Sequence, residues 1–229
     1  MSQTAVLLVL VRWTHRSLAW GLSQLPMAAL SHQLAPGLLF QKVLGSGRHG
    51  GFGLWPSLHH QGFLGAFETP LAARAFLASG QRVEAYREHA QDLFWALLRP
   101  YSSRGSWSGH SLDIASPAPQ PGALVASLTR ASIRPSKALS FWSRSPDAER
   151  DLAQAPGCEL AVGLGEAPFL RQATFSIWRG EDAMRNYAHT GGHRRAIEAA
   201  HAGKHFSESM FTRFCIDDMS GRWAGRTFA

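Results

Sequence analysis

Leu34-Ala35-Pro36-Gly37 precedes an apolar run that ends in Gly45-Ser46-Gly47, and Gln154-Ala155-Pro156-Gly157 precedes a second run, Cys158 to Gly165, that ends in Gly163-Leu164-Gly165. The match extends outward in both directions. His60-Gln61-Gly62-Phe63-Leu64-Gly65-Ala66-Phe67-Glu68 has its counterpart in Leu170-Arg171-Gln172-Ala173-Thr174-Phe175-Ser176-Ile177-Trp178. Each is followed by a short polar step and a helical pattern, Pro70 to Ser79 and Glu181 to Ala188. Upstream, the apolar strand pattern Ala5 to Trp13 corresponds to Ala123 to Ala131. Self-similarity at one fixed period is the mark of a duplicated supersecondary unit.

Each unit reads strand, helix, strand, strand, helix, strand, a ferredoxin-like βαββαβ order. The last strands are expected at Phe94 to Leu98 and Met210 to Ile216. A helix opening near Pro135 suits proline's preference for the first helical turn, and carries Leu139, Phe141 and Trp142. A sheet with helices on one face must bury the other. Two fused units do so against each other, which predicts an α+β fold: two fused ferredoxin-like repeats forming a dimeric-type α+β barrel. The expected division is 1–101 for the first repeat, 102–122 for a linker rich in Ser, Pro and Gly, and 123–229 for the second. The space between the sheets is the expected ligand chamber. Gly45 to His60, with five glycines, reads as a loop inserted in the first repeat alone.

Composition supports one large folded unit. Of 229 residues, 45% are hydrophobic and 17% charged, enough apolar surface for a sizeable core. Eight Trp and thirteen Phe can fill that core or line a pocket for a flat apolar ligand. The formal charge of +7 comes from scattered arginines without a basic block, which argues against nucleic acid and for diffuse attraction to an anionic membrane. Ala5 to Trp13 is too short to span a bilayer as a helix and lacks the flanks of a signal peptide. Cys158 and Cys215 form no CxxC pair or disulfide framework, so a cytoplasmic protein is expected, at most peripheral to a membrane.

Gly45-Ser46-Gly47-Arg48-His49-Gly50 is GxGxxG by letters, but lacks the helix and acidic partner of a dinucleotide site. His189 and His193 stand four apart, a zinc-compatible spacing that Gly191-Gly192 interrupts. Glu166, between Gly165 and Ala167-Pro168, reads as a solvated turn residue or a proton relay.

Phe40 to Gly53 (FQKVLGSGRHGGFG), Leu124 to Ala131 (LVASLTRA), Phe141-Trp142, Val162 to Trp178 (VGLGEAPFLRQATFSIW) and His193 to Ile197 (HRRAI) together resemble the spheroidene monooxygenases, a family of carotenoid ketolases. The resemblance spans about Ala5 to Ile216. It implies a monooxygenase that installs a keto group at C-2 of an acyclic carotenoid of the spheroidene type, with dioxygen, a reduced ferredoxin and haem b iron. Within that reading, the repeat aligns Arg82 with His193, and His193 is the expected haem-iron ligand, since one imidazole nitrogen suffices. Arg48 or His59 would steady bound dioxygen, and Lys42 and Arg171 would meet the propionates. Phe52, Trp55, Trp142, Phe169 and Trp178 would line the polyene site, with Phe40 and Phe141 as further aromatic candidates. Another haem reaction on a small molecule, such as dehydration or peroxidation, and a cofactor-free binding barrel are the rival readings.

Overall fold

The computed structural model of the chain describes residues 3–30, 35–51, 55–142, 151–152, 154–167, 169–189 and 205–229. The first repeat contains β1 (Ala5–Trp13), α1 (Leu18–Leu30), β2 (Leu38–Gly47), β3 (Pro56–Phe67), α2 (Pro70–Ser79), α3 (Gln81–His89) and β4 (Ala90–Gly105). The second contains β5 (Val125–Ile133), α4 (Ala138–Trp142), β6 (Cys158–Ala167), β7 (Arg171–Trp178), α5 (Glu181–His189), β8 (Phe206–Trp223) and β9 (Arg226–Phe228). All pairings are antiparallel, in the order β4-β1-β3-β2-β6-β7-β5-β8, and β4 pairs with β8 to close a barrel. The short β9 folds back on β8. The α+β barrel of two fused ferredoxin-like repeats is thus the observed fold.

The duplication is exact at the level of register. Ala5, Leu7, Val9 and Val11 stand opposite Phe67, Gly65, Phe63 and Gln61. Val125, Ser127, Thr129 and Ala131 stand opposite Trp178, Ser176, Thr174 and Gln172. The junctions between the repeats are unequal. The β2–β6 seam is only Gly45 with Gly165 and Ser46 with Leu164, whereas β4 and β8 pair from Phe94–Gly221 to Gly105–Met210. These two strands therefore run well beyond the Phe94 to Leu98 and Met210 to Ile216 cores expected from sequence.

Side chains that alternate along each strand go to two different places. The inward set includes Leu8, Leu10, Leu64, Phe94, Leu128, Val162, Phe175 and Phe214, all buried in one cluster. The interior proposed as a ligand chamber is a packed core along these residues, because large aliphatic and aromatic side chains from both sheets meet at its axis. The 102–122 segment is more than a spacer. β4 continues to Gly105, and Trp107 and Leu112 then insert into the interior cluster as a stopper at one barrel end.

The outward set of the first repeat forms a second core. Leu7, Val9, Val11, Trp13, Phe63 and Phe67 pack under Phe76 and Leu77 of α2 and Val83 and Tyr86 of α3. The Thr69 hydroxyl accepts from Ala72 N at 3.1 Å and Pro70 occupies the first turn, which sets the start of α2. α1 lies close against the sheet because Gly21 faces the Trp13 ring, where a Cβ would come within 2.5 Å of the indole. α3 has no counterpart in the sequence reading: its composition is polar, and only Val83 and Tyr86, three apart, hold its inner face.

The Gly45 to His60 stretch is mostly a β-hairpin. β2 runs to Gly47 and β3 starts at Pro56, with a 3-10 turn at Arg48–Gly50 between them.

Candidate functional site on the second repeat

The outer face of the second repeat is built from small side chains. Where the first repeat has Leu7, Val9 and Phe63, the second has Ser127, Thr129 and Thr174. Along β6 the outward residues are Ala161, Gly163 and Gly165, set by alternation with the interior Leu160, Val162 and Leu164. Ser127, Thr129 and Thr174 are half-buried, and among the described residues the apolar cluster on this side has Val125, Leu152, Trp178 and Met184 as buried members. Thr129 and Thr174 are direct cross-strand partners at the middle of the face. The result is a flat, hydroxyl-bearing floor from Gln172 to Trp178, about 20 Å of strand.

Aromatic residues bracket this floor. At one end Trp178 donates its indole N–H to Ser176 Oγ at 2.9 Å and lies against Tyr187 of α5, ring centres 5.3 Å apart. At the other, Trp142 Nε1 donates to the Phe169 carbonyl at 2.9 Å, with the two rings 6.4 Å apart. Beyond Trp178 opens a cleft of about 780 Å³ lined by Asp151, Gln154, Ala155, Pro156, Gly157, Arg179, Ala183, Asn186 and Tyr187. That volume lies within the ~300–1,000 Å³ of small-ligand sites. Burial and the neighbouring Asp151 and Cys158 push the Tyr187 phenol up, so it stays protonated. Arg213, beside Ser127 in the β5–β8 register, reaches Glu181 of α5 at 3.3 Å.

The expected site residues divide accordingly. Trp142, Phe169 and Trp178 are brought to this one face. Trp55 is 72% exposed at the β2–β3 hairpin, and Phe40 packs against Trp107 at the barrel end. Phe52 and His193 lie outside the described residues. His59 belongs to the first repeat: its Nδ1 is 3.2 Å from the Trp13 carbonyl and its ring abuts His15, with β2 and β6 between β3 and β7. Arg48 begins the 3-10 turn that packs beside β6. Arg171 is exposed at the start of β7.

Lys42 is committed elsewhere. It faces the barrel interior, 2.7 Å from Glu166 and 3.0 Å from Ser108 Oγ. Glu166 also accepts from Trp107 Nε1 at 3.0 Å and Arg130 at 3.1 Å, and Arg130 in turn pairs with Glu208. Arg130 is only 2% exposed, with its guanidinium over the Trp107 ring. Burial would raise the Glu166 carboxyl, but Lys42, Trp107 and Arg130 outweigh it and hold it below the usual range. It is therefore ionised and held in a cluster of donors, which replaces the solvated turn residue expected from sequence. A charge needs a buried partner to stay buried, and the chain distance from Lys42 to Glu166 hides this pair from sequence reading.

The sequence correspondence of Ala5–Trp13 with Ala123–Ala131 sets Leu7 against Val125; the strand register moves it by two residues and sets Leu7 against Ser127, so the small side chains of this face emerge only from the pairing of the strands. Among the described residues no group of three or more His, Cys, Asp or Glu is arranged to hold a bare metal ion.

Sequence comparison decides the family. The chain is 49% identical over 209 residues to spheroidene monooxygenase of Rubrivivax gelatinosus, covering 91% of this chain and 80% of that protein. It is 33% identical over 213 residues to spheroidene monooxygenase of Rhodobacter capsulatus, covering 92% and 88%.

The chain belongs to the spheroidene monooxygenase family.

No protein-family model matches the sequence. Among solved structures, aldoxime dehydratase superposes with a TM-score of 0.59 at 12% identity, over 94% of this chain and 81% of that one. That likeness shows a shared barrel fold. In this member of the spheroidene monooxygenase family, the two repeats differ in side-chain size at matched outer-face positions, Leu7, Val9 and Phe63 against Ser127, Thr129 and Thr174. No helix of the described residues is long and apolar enough to cross a membrane.

Proposed function

We propose that this chain is a haem-dependent monooxygenase that introduces a keto group at C-2 of an acyclic carotenoid of the spheroidene type, with dioxygen and a reduced ferredoxin as co-substrates. The observation that carries the location of the site is the replacement of Leu7, Val9 and Phe63 by Ser127, Thr129 and Thr174 at matched positions of the two repeats. Removing three large side chains from between a sheet and its covering helices leaves room for a flat ligand.

The residues present suit a porphyrin. The floor carries a row of hydroxyls, the adjoining cleft is of small-ligand size with Arg179 in its lining, and Arg213 stands beside Ser127; each arginine would have to share its carboxylate partner, Glu159 or Glu181, with a propionate. His193 is the proposed iron ligand. Its counterpart in the repeat, Arg82, is buried between α3 and the sheet, with its guanidinium carbon 5.7 Å from the centre of the Phe63 ring. The twin of that ring is Thr174. Haem, when bound, supplies the activation of dioxygen.

The chain's own residues orient the substrate and keep water out. Phe169 at one end, backed by the buried Trp142, and Tyr187 at the other, backed by the buried Trp178, offer apolar surfaces to a polyene lying along the floor. The Thr129 and Thr174 hydroxyls can donate hydrogen bonds to an oxygen atom held above them. Two successive hydroxylations of one methylene give a geminal diol, which loses water to become the ketone.

A spectrum of the purified protein, oxidised and then reduced under carbon monoxide, tests the cofactor. A Soret band that disappears in His193→Ala, with far-ultraviolet circular dichroism unchanged, is the expected result. An unchanged band in that variant assigns the ligand elsewhere. A protein that carries no haem and cannot be reconstituted with haemin removes the haem reading.

A further inference from the structure

The β5–α4 connection and the β6–β7 turn meet at one end of the floor. Ile133 N donates to the Leu170 carbonyl at 2.7 Å, Ser132 pairs with Arg171, and Trp142 donates to the Phe169 carbonyl. This junction leaves large apolar side chains in water: Leu139 is 90% exposed, Phe169 48% and Leu170 36%. Leu139 stands one helical turn before Trp142 on α4. Phe169 has φ 68°, in the left-handed region that bulky residues avoid. Backbone strain of this kind persists where presentation of the side chain has a use.

The charges carried by the two connections themselves have one sign. Residues 131–142 and 167–172 include Arg134, Lys137 and Arg171 and no Asp or Glu. Arg134 and Arg171 are exposed and Lys137 is half-buried. An apolar tip inside a basic collar is poorly placed in water. It is well placed at an anionic bilayer, where the apolar side chains enter the acyl boundary and the cations stay among the headgroups.

We infer that this corner, centred on Leu139, Phe169 and Leu170, docks the protein on an anionic lipid bilayer beside the end of the floor. The assignment rests on the carotenoid reading in one respect. A polyene dissolves in lipid rather than water, and Gln172, the first residue of the floor, directly follows Arg171 of the collar. Substrate arriving through the docked corner reaches the floor without crossing bulk water.

Co-sedimentation with vesicles of phosphatidylglycerol and phosphatidylcholine tests this, with pure phosphatidylcholine vesicles as control. The protein is expected to bind the anionic vesicles, and more weakly as salt rises. Arg134→Glu/Lys137→Glu should lower the affinity at least about 25-fold, since each basic residue near an anionic surface contributes roughly a factor of five. Leu139→Asp should lower it about tenfold or more. Both variants should oxidise carotenoid in detergent micelles as the parent protein does, and lose turnover only with substrate in anionic vesicles. Equal vesicle binding by parent and both variants overturns the assignment, as does failure of the parent to bind. So does a dimer of the parent that Leu139→Asp dissociates, which makes the corner an interface between copies. Vesicle binding without carotenoid oxidation in any medium would leave the docking surface standing and remove the carotenoid reading instead.

Discussion

Arg82 holds its guanidinium carbon 5.7 Å over the centre of the Phe63 ring, and the fused second repeat replaces this pair by His193 and Thr174. In the first repeat a cation and an aromatic ring fill the layer between helix and sheet. In the second, the strand residue has shrunk to a hydroxyl-bearing side chain. The first repeat fills the layer between helix and sheet with bulky side chains; at the matched strand positions the second carries small ones.

Thr174→Phe should restore first-repeat packing at the floor. The variant is expected to fold with unchanged or higher melting temperature while losing at least about tenfold in turnover and in cofactor retention, because a ring would occupy the centre of the floor. Absorbance of the purified variant and a carotenoid oxidation assay check this; normal turnover would place the site elsewhere.

Phe63→Ala, the converse change, should leave the site intact and weaken the scaffold. Phe63 is fully buried against Phe76, ring centres 5.3 Å apart, so a loss of about 3–5 kcal/mol is expected. Denaturant unfolding measures it.

Glu166→Ala should destabilise by about 3 kcal/mol, because Lys42 and the buried Trp107 N–H lose their acceptor and Arg130 keeps only Glu208. Arg130→Met should cost less, since Glu166 retains Lys42 and Glu208 retains Ser106 and Gly109. If the two variants unfold at the same denaturant concentration, the cluster does not act as an ion network.

Acid should destabilise the protein in two stages. Burial, with Arg12, His59 and His49 nearby, lowers His60 to about 4. Its unfolded value is about 6.5, so between those pH values the unfolded chain takes up a proton that the folded one refuses. Stability present above about pH 6.5 is therefore lost as the pH falls toward 4. Burial would raise Glu208, but hydrogen bonds from the Gly109 and Ser108 backbone, Ser106 and Arg130 outweigh it and bring the carboxyl down to about 2. Its contribution is present above the unfolded value of about 4.3 and lost as the pH falls through about 2. Thermal melts from neutral to acid pH should show both declines, with His60→Gln removing the first and Glu208→Gln the second. A melting temperature independent of pH from 7 to 4 contradicts the His60 assignment.

Much of the architecture is legible in the chain because the period-two alternation of Ala5–Trp13 and the repeated Ala-Pro-Gly steps are local signals. The helix over Pro70–Ser79 and the start of the other at Glu181 match the expected bounds, as capping and apolar spacing are also local. α3 escaped because its three apolar residues, Val83, Ala85 and Tyr86, bunch within one turn of a nine-residue polar helix and carry too weak a period. Trp142, Phe169 and Trp178 fall on one face of the second repeat, whereas His59 lies on the first repeat and Lys42 faces the barrel interior, placements that follow from strand order rather than from residue type or charge.

The amino-acid order by itself determined that two βαββαβ units are joined and which side chains alternate between two faces of each strand, since both follow from near-neighbour geometry. Only the closed barrel decided which face became solid core and which became open floor. That choice depends on strands distant in sequence, β4 with β8 and β2 with β6, meeting to bring Leu10, Phe94, Phe175 and Phe214 onto one axis. Once large side chains fill that axis, the small outward residues of the second repeat, Thr129 and Thr174 among them, are what distinguish its outer face from that of the first.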